Sequence, residues 1–353
     1  MSFTVLDQDT VTGNILRDIS NQLPDADTST DSDYGVRAAA NGSAIEGLYE
    51  YQQWIVNQIF PDTADPDILL LHARVRGLSL KPAVPASGSV QLNGSVGSSA
   101  DAGITVLLQN GTQYQTTDTA TIGADGTATV DATAVVAGSA GNVQANTPIT
   151  LQSPPPGFTS AGTIVSMVGG TDVETSAELL ARLLDLIQQP PAGGNQYDFR
   201  RWAMSVPGVT AAYVYPLRRG LGTVDIVITA SGGLPSADTI AACQAYIDSV
   251  RPVTAKNALV LAPQIVTIDH DVNIAGLSLV VGTPLIQTAL ATYFATLVPG
   301  STYVLSKAEG AVSDIAGITD SEFVSPTANV VPEVDANAIQ WLQLGNLNVG
   351  ALS

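Results

Sequence analysis

GGTDVETSAELLARLLDLIQQPPAGGNQYDFRRWAMSVPGVTAAYVYPLRRGLGTVDIVI, residues 169–228, holds in sixty positions nearly every signal this chain uses elsewhere. Leu179, Leu180, Leu183, Leu184 and Ile187 recur at helical spacing, so 171–189 reads as an amphipathic helix. Thr171 or Asp172 is placed to cap it, with Glu174 in the first turn. Two prolines followed by Gly193 and Gly194 then bend the chain. A second helix near 197–206 carries Trp202, a core or interface anchor, and is closed by Pro207-Gly208, which turn the chain into a strand. Strands are expected at 209–217 and 223–229. The Arg218-Arg219-Gly220-Leu221-Gly222 run joins strand to strand, so it reads as a hairpin with positive φ at its glycines, not as a phosphate-binding turn. Arg218 and Arg219 at its tip are candidate contacts to an acidic neighbour.

Downstream, a helix at 236–250 and a strand at 258–261 complete an α+β unit. The remainder resembles a permuted copy of it: strands within 265–281, a helix at 285–297, and another helix running into a strand near 318–324. Val206-Pro207-Gly208-Val209-Thr210 is echoed by Ile315-Ala316-Gly317-Ile318-Thr319. Residues 327–353 read as an arm or loose cap.

Upstream, residues 84–168 alternate apolar and polar, with turn residues about every ten positions, as a small sandwich or barrel does. Residues 1–80 are helical. A helix is expected over 11–23, with Val11, Ile15, Ile19 and Leu23 on one face, then a polar loop over 24–33. A second helix is expected over 44–60, with Trp54 among its apolar residues, and a third over 67–78, stopped at Gly77. The chain is therefore α+β and multi-domain: a helical N-terminal region (1–80), a β-rich domain (81–168), an α+β domain (169–264), and a second α+β unit with a C-terminal arm (265–353). Its 353 residues accommodate about two to four cores.

The composition narrows the function. Thirty-two acidic residues against 13 basic give a net charge of −19, which repels phosphates and argues against a nucleic-acid partner. Only 13% of the chain is charged, which suits large buried subunit contacts. The N-terminus has no basic start followed by an apolar run, and no stretch has the apolar length of a membrane span. Cys243 is the single cysteine and reads as a core thiol, so neither a disulfide nor a thiolate cluster is expected. Asp269-His270-Asp271 is no ligand set, because neighbours on a strand point to opposite faces; a solvated edge charge is the expectation there. His72 is expected on a helical face. No nucleophile elbow is present, the acidic loops lack calcium-loop spacing, and the aromatics that stack on sugars are only 5% of the chain. Catalytic, metal and cofactor residues are accordingly expected to be none.

The run over 169–228 resembles the baseplate J-like family of contractile-tailed phages. The resemblance rests on Gly169-Gly170-Thr171-Asp172-Val173-Glu174, Arg182, Gly193-Gly194-Asn195, Tyr197, Trp202-Ala203, Val206-Pro207-Gly208-Val209 and Gly220 to Val224. It continues through Tyr246-Ile247-Asp248 and Arg251-Pro252-Val253-Thr254-Ala255. Upstream, Arg76-Gly77, Pro85 to Val90, Gly111-Thr112-Gln113-Tyr114 and Ala140-Gly141-Asn142-Val143 fit in order. The match thus spans roughly 70–265; the lone Arg182 is fewer arginines than the family helix often carries, and the region after 265 matches by pattern alone.

The resemblance implies a structural wedge subunit of a virion tail baseplate, assembled in the host cytoplasm, with no enzymatic activity. Two copies per wedge would join into a six-fold ring around the hub. They would bridge an inner sheath-initiating wedge protein and an outer tail-fibre-connecting one, and change conformation to trigger sheath contraction and genome ejection. The same chain fits a tailocin or another contractile injection system; an enzyme acting on polysaccharide through 84–168 is the remaining alternative. Structural and interface candidates are Trp54, Gly193, Gly194, Trp202, Pro207, Gly208, Arg218 and Arg219. Helix pairs at 10–60 and 285–315 are expected to make contacts between copies.

Overall fold

The computed structural model describes residues 5–352, which form two units: residues up to 80 with 175–188, and residues 81–174 with 189 onward. The α+β, multi-domain class expected from sequence holds throughout.

In the first unit, α1 (Gln8–Gln22) is capped by the Asp7 carboxylate, which accepts from the Thr10 N–H at 2.7 Å. Next, α2 (Asp33–Ile59) begins eleven residues before the expected start, capped by Ser32. Its early buried face is built of the small residues Gly35, Ala38 and Gly42: Gly35 lies against the Ser29 backbone, and Gly42 lets α1 approach closely, since a methyl there would lie 2.4 Å from Thr12 Oγ1. The short α3 (Pro66–Val75) closes at Gly77, where the Leu78 N–H returns to the Ala73 carbonyl at 2.9 Å. Leu69 and Ala73 of α3 share a core with Leu179 and Leu183, which lie on a helix much later in the chain.

In the second unit a closed barrel is built from β1 (Ser87–Gly94), β3 (Thr105–Leu107), β4 (Gln113–Thr116), β6 (Thr127–Ala134), β7 (Pro148–Leu151) and β8 (Phe158–Val168), with β2 (Ser99–Ala100) paired to β5 (Ala120–Thr121) beside it. Closure comes from β1, which pairs with β6 (Val90 opposite Val130) and, through two register shifts, with β8. Alternate residues point inward, so Val90, Leu92, Val106, Tyr114, Ile164 and Met167 fill the interior. Tyr114 is fully buried and its hydroxyl donates to the Gly141 carbonyl at 2.9 Å; burial pushes its phenol up to about 12.

The helix expected over 171–189 is α4 (Ser176–Gln188), and it belongs to the first unit. Thr171 and Asp172 do not cap it. Thr171 exchanges backbone hydrogen bonds with Val84, and Asp172 accepts from the Ser139 hydroxyl and N–H. The cap is reciprocal between Thr175 and Glu178: the Thr175 N–H donates to the carboxylate at 2.8 Å and its hydroxyl receives the Glu178 N–H at 3.3 Å.

Two three-stranded sheets complete the second unit. After α5 (Gln196–Met204), β9 (Ala211–Pro216) and β10 (Thr223–Thr229) form the expected hairpin; α6 (Ala237–Val250) leads to β11 (Asn257–Leu261), parallel to β10. Phe199, Ala203, Ile226, Ile228, Cys243 and Ile247 pack between helices and sheet. In the second sheet, β12 (Gln264–Ala275) is central; α7 (Leu279–Ala295) and α8 (Leu305–Ser313) precede β13 (Asp320–Ser325), antiparallel to β12. The stretch expected as a loose cap instead supplies β14 (Gln340–Ala351), which pairs in parallel with β12 over nearly its whole length. Both sheets thus have a central strand with one antiparallel and one parallel neighbour. The echoed pentapeptides make the same turn: Gly208 (φ 86°) leads from α5 into β9, and Gly317 (φ 98°) from α8 into β13.

Candidate functional site

The first candidate surface lies on α2. Leu48, Tyr51, Ile55 and Ile59 follow one another at helical spacing and are all exposed, between 41% and 61%. Trp54 stacks on Tyr51 at 5.5 Å and donates its indole N–H to Asp65 at 2.7 Å, which fixes its ring while 41% of it stays in solvent. Among the described residues these form an apolar stripe of the kind that marks an interaction surface. His72, on α3, points its Nε2 at the Gln58 carbonyl, 2.8 Å away. The other expected contact region, 285–315, spends its stripe internally: Ile286, Leu290, Phe294, Ala308 and Val312 are buried in the core under β12.

The 189–195 linker is not free. Asp198, 1% exposed, accepts from the N–H groups of Gly194 at 2.7 Å, Ala192 at 3.0 Å and Asn195 at 3.3 Å, while the Asn195 side chain receives the Asp198 N–H. Burial pushes this carboxyl up, but those three N–H groups and the Arg201 charge outweigh it and hold it below its ordinary value. Arg201 in turn donates to the Gln189 carbonyl. Gly194 lies against Pro252, whereas Gly193 faces open space. Trp202 is half-buried, edge-on to Phe199 at 5.1 Å, so it anchors the core beneath α5. The Pro207-Gly208 turn sits on Thr239: a methyl on Gly208 would lie 2.9 Å from Thr239 Oγ1.

The hairpin tip does not offer two free cations. Arg218, with a side chain 6% exposed, places Nε 2.5 Å from Asp225 Oδ2 and donates to the carbonyls of Asp335 and Ala338. Arg219 approaches the other Asp225 oxygen at 2.7 Å and donates to Asn257 Oδ1 at 2.6 Å. A fully buried carboxylate in the following strand draws both guanidiniums toward it, with Arg219 still 25% exposed. Tyr215 makes a second tie to the C-terminal segment, donating to the Pro299 carbonyl at 2.6 Å.

His270 is the larger surprise. Its neighbours Asp269 and Asp271 are exposed as strand alternation demands, but the imidazole is 1% exposed, not a solvated edge charge. It sits among Phe294, Tyr303 and Phe323, with Nδ1 3.0 Å from the Ile268 carbonyl and Nε2 3.0 Å from the Tyr303 hydroxyl. The carbonyl accepts only, so Nδ1 carries the proton and Nε2 receives the tyrosine O–H. Burial lowers its pKa. Cys243 is buried and pushed up to about 12, which keeps it a thiol. Among the described residues no group of three acidic, histidine or cysteine side chains is arranged to hold a metal, and no helix is long and apolar enough to cross a membrane.

Three domain models of one family match in chain order: the Baseplate J-like protein barrel domain over 89–170, the central domain over 191–262, and the C-terminal domain over 276–350. The baseplate protein gp47 of Escherichia phage Mu is 33% identical over 322 residues, covering 86% of this chain and 89% of that protein. The chain belongs to the Baseplate J-like family. Its membership reaches past 265, where the sequence matched by pattern alone. The Mu-like prophage FluMu protein gp47 of Haemophilus influenzae is 32% identical, over 84% of this chain and 88% of that one. A chain of the six-fold symmetrised anti-feeding prophage baseplate overlaps 94% of the length at 14% identity with a TM-score of 0.39, too loose a likeness to transfer a role. The Baseplate J-like domains contain the Asp198 linker, the Arg218–Asp225–Arg219 cluster and β14, whereas the exposed stripe of α2 precedes the first of them.

Asp198, Asp225 and Tyr303 are the residues that sequence reasoning missed. Asn195-x-x-Asp198 was readable as a capping box, and Asp225 as the odd residue in a strand of otherwise buried Val, Ile and Thr. Nothing in sequence pairs Tyr303 with His270.

Proposed function

We propose that this chain is a structural, non-catalytic subunit of the baseplate of a contractile phage tail. The observation that carries the reading is the 33% identity to the phage Mu baseplate protein over nearly the full length of both chains. The surface chemistry supports it. Buried charges are committed to internal ties and the cysteine is a core thiol, while an apolar helical stripe is left exposed. Such a division suits a protein whose work is contact with neighbours.

Within that role, the finer arrangement is a wedge subunit that meets further copies of itself, an inner sheath-initiating protein and an outer fibre-connecting protein, and resides in the virion tail. Motion on triggering is assigned to the linker segments 80–84, 168–172 and 189–195. Co-expression with the products of the two flanking genes, followed by light scattering after size exclusion, tests the reading. A stable complex holding two copies of this chain with either neighbour supports it; a chain that ignores both neighbours overturns it.

A further inference from the structure

We propose that two neighbouring turns, 217–222 between β9 and β10 and 251–256 between α6 and β11, form a knob that docks on the exposed face of α2 of a second copy. The inference rests on the proposed function and names one pair of surfaces through which copies meet.

The two turns lie side by side, because Thr223 pairs with Asn257 and Arg219 donates to Asn257 Oδ1 at 2.6 Å. They expose Leu217 at 57%, Leu221 at 85% and Val253 at 103%, where polar turn residues would serve solubility better. Leu217 also holds φ at 62°, a conformation that Gly or Asn adopts at lower cost, so this leucine is kept against local preference. Such strain gathers at working surfaces. The tip is rigid as well, since Arg218 and Arg219 both grip Asp225, and a preformed surface loses less entropy on docking.

The charge points to the occupant. Arg218 and Arg219 are paired with Asp225, and Arg251 with Asp248 at 3.0 Å, while Asp335 accepts from the N–H groups of Asn337 and Ala338. Lys256 is exposed and makes no ion pair among the described residues, so it is the uncommitted cation of the knob. The face of α2 is its complement. Beside the stripe of Leu48, Tyr51, Ile55 and Ile59 lie the exposed carboxylates Glu50, Asp62 and Asp67, and residues 38–73 contain no lysine or arginine. Residues 82–181 are also free of both, but the large apolar residues they expose are valines with no helical stripe. Only the α2 face therefore offers apolar surface and negative charge together. Knob and face are different surfaces, so the contact is heterologous and passes from copy to copy, closing as a ring where the rotation permits.

The test is carbodiimide cross-linking of the full chain, as an equal mixture of unlabelled and nitrogen-15 copies, with light scattering across a concentration series. Carbodiimide joins an amine to a carboxylate that touches it, and the chain has only three lysines, of which Lys81 is tied to the Met204 and Val209 carbonyls. We expect links between copies from Lys256 to a carboxylate within 46–67, and association that weakens as salt is added. Lys256→Glu should associate about tenfold more weakly, whereas Lys307→Glu, the same charge change at an exposed site on α8, should behave as the wild type. Lys256→Glu combined with Glu50→Lys exchanges the two charges and should regain most of the loss. Lys256 links confined to one copy, or made to carboxylates elsewhere, overturn the inference; so does a Lys256→Glu chain that associates like the wild type, or an exchange that recovers nothing. The cross-link is read on the wild type, so it decides even where a variant misfolds. A wild type that stays monomeric yet binds its gene neighbours overturns the docking and leaves the baseplate reading standing. A wild type that binds neither sinks both.

Discussion

Arg218 in the hairpin turn and Asp225 on β10 lie seven residues apart, and their side chains meet at 2.5 Å with the carboxylate fully buried and the guanidinium nearly so. The same arginine reaches the Asp335 and Ala338 carbonyls, so one ion pair fastens the β9–β10 hairpin to the segment before β14. Removing the carboxylate strands two guanidiniums. Asp225→Ala should therefore lose about 3–5 kcal/mol of stability, the usual cost of an uncompensated buried charge. Arg219→Ala should lose much less, because that side chain is 25% exposed. Urea denaturation of both variants checks the order; equal losses would refute the account.

His270 makes a pH prediction with a definite sign. Its folded pKa is depressed by burial from the ordinary 6.5, so the unfolded chain binds a proton that the folded chain refuses. Stability from this group is complete above that value and falls as pH drops below it. Melting followed from pH about 8 to 5 should show that decline, and His270→Phe, which fits the aromatic surroundings, should flatten it. A slope that survives the substitution would assign the effect to other groups.

Much of the fold was legible because one physical rule sufficed locally. Alternation over 84–168 gave the barrel strands, and the leucines of α4 gave its buried face. The failures share a cause, which is that distant partners decide local structure. Thr171 and Asp172 look like helix caps until Val84 and Ser139 take their hydrogen bonds. The first turns of α2 were missed because Gly35, Ala38 and Gly42 pack by being small, and periodicity counts only large apolar residues. β14 was missed although Leu342 and Leu344, then Leu347 and Val349, alternate toward the core, because the bulge between Leu344 and Leu347 breaks the period. At the candidate site, Arg218 and Arg219 were correctly seen as a basic pair, but the acidic partner proved to be Asp225 of the same chain.

Gly193 and Gly194 should respond differently to alanine although both have positive φ, at 84° and 121°. Gly193 faces open space, so Gly193→Ala should cost only about 1 kcal/mol of backbone strain. Gly194→Ala adds a methyl 2.6 Å from Pro252 Cγ and strains the N–H that Asp198 holds, so its loss should be clearly larger. If this linker moves during contraction, the Gly193-Gly194 to Ala-Ala variant should also impair particle assembly or contraction beyond what the stability loss explains. Denaturant midpoints and negative-stain images of complemented particles read the two effects separately.

The stripe on α2 separates stability from assembly most cleanly. Leu48 and Ile55 are 61% and 41% exposed, so they contribute little to the fold of the isolated chain. Leu48→Ser with Ile55→Ser should shift its stability by no more than about 0.5 kcal/mol per site. If a neighbour covers that face, the same changes uncover the neighbour's apolar surface as well, and each side chain buried at such a contact is worth about 1.5–3 kcal/mol. The double variant should then melt like the wild type and yet fall out of the complex formed on co-expression with the flanking gene products. Retention of the variant in that complex at wild-type yield would show that the α2 stripe faces solvent in the assembled particle and that contacts are made elsewhere.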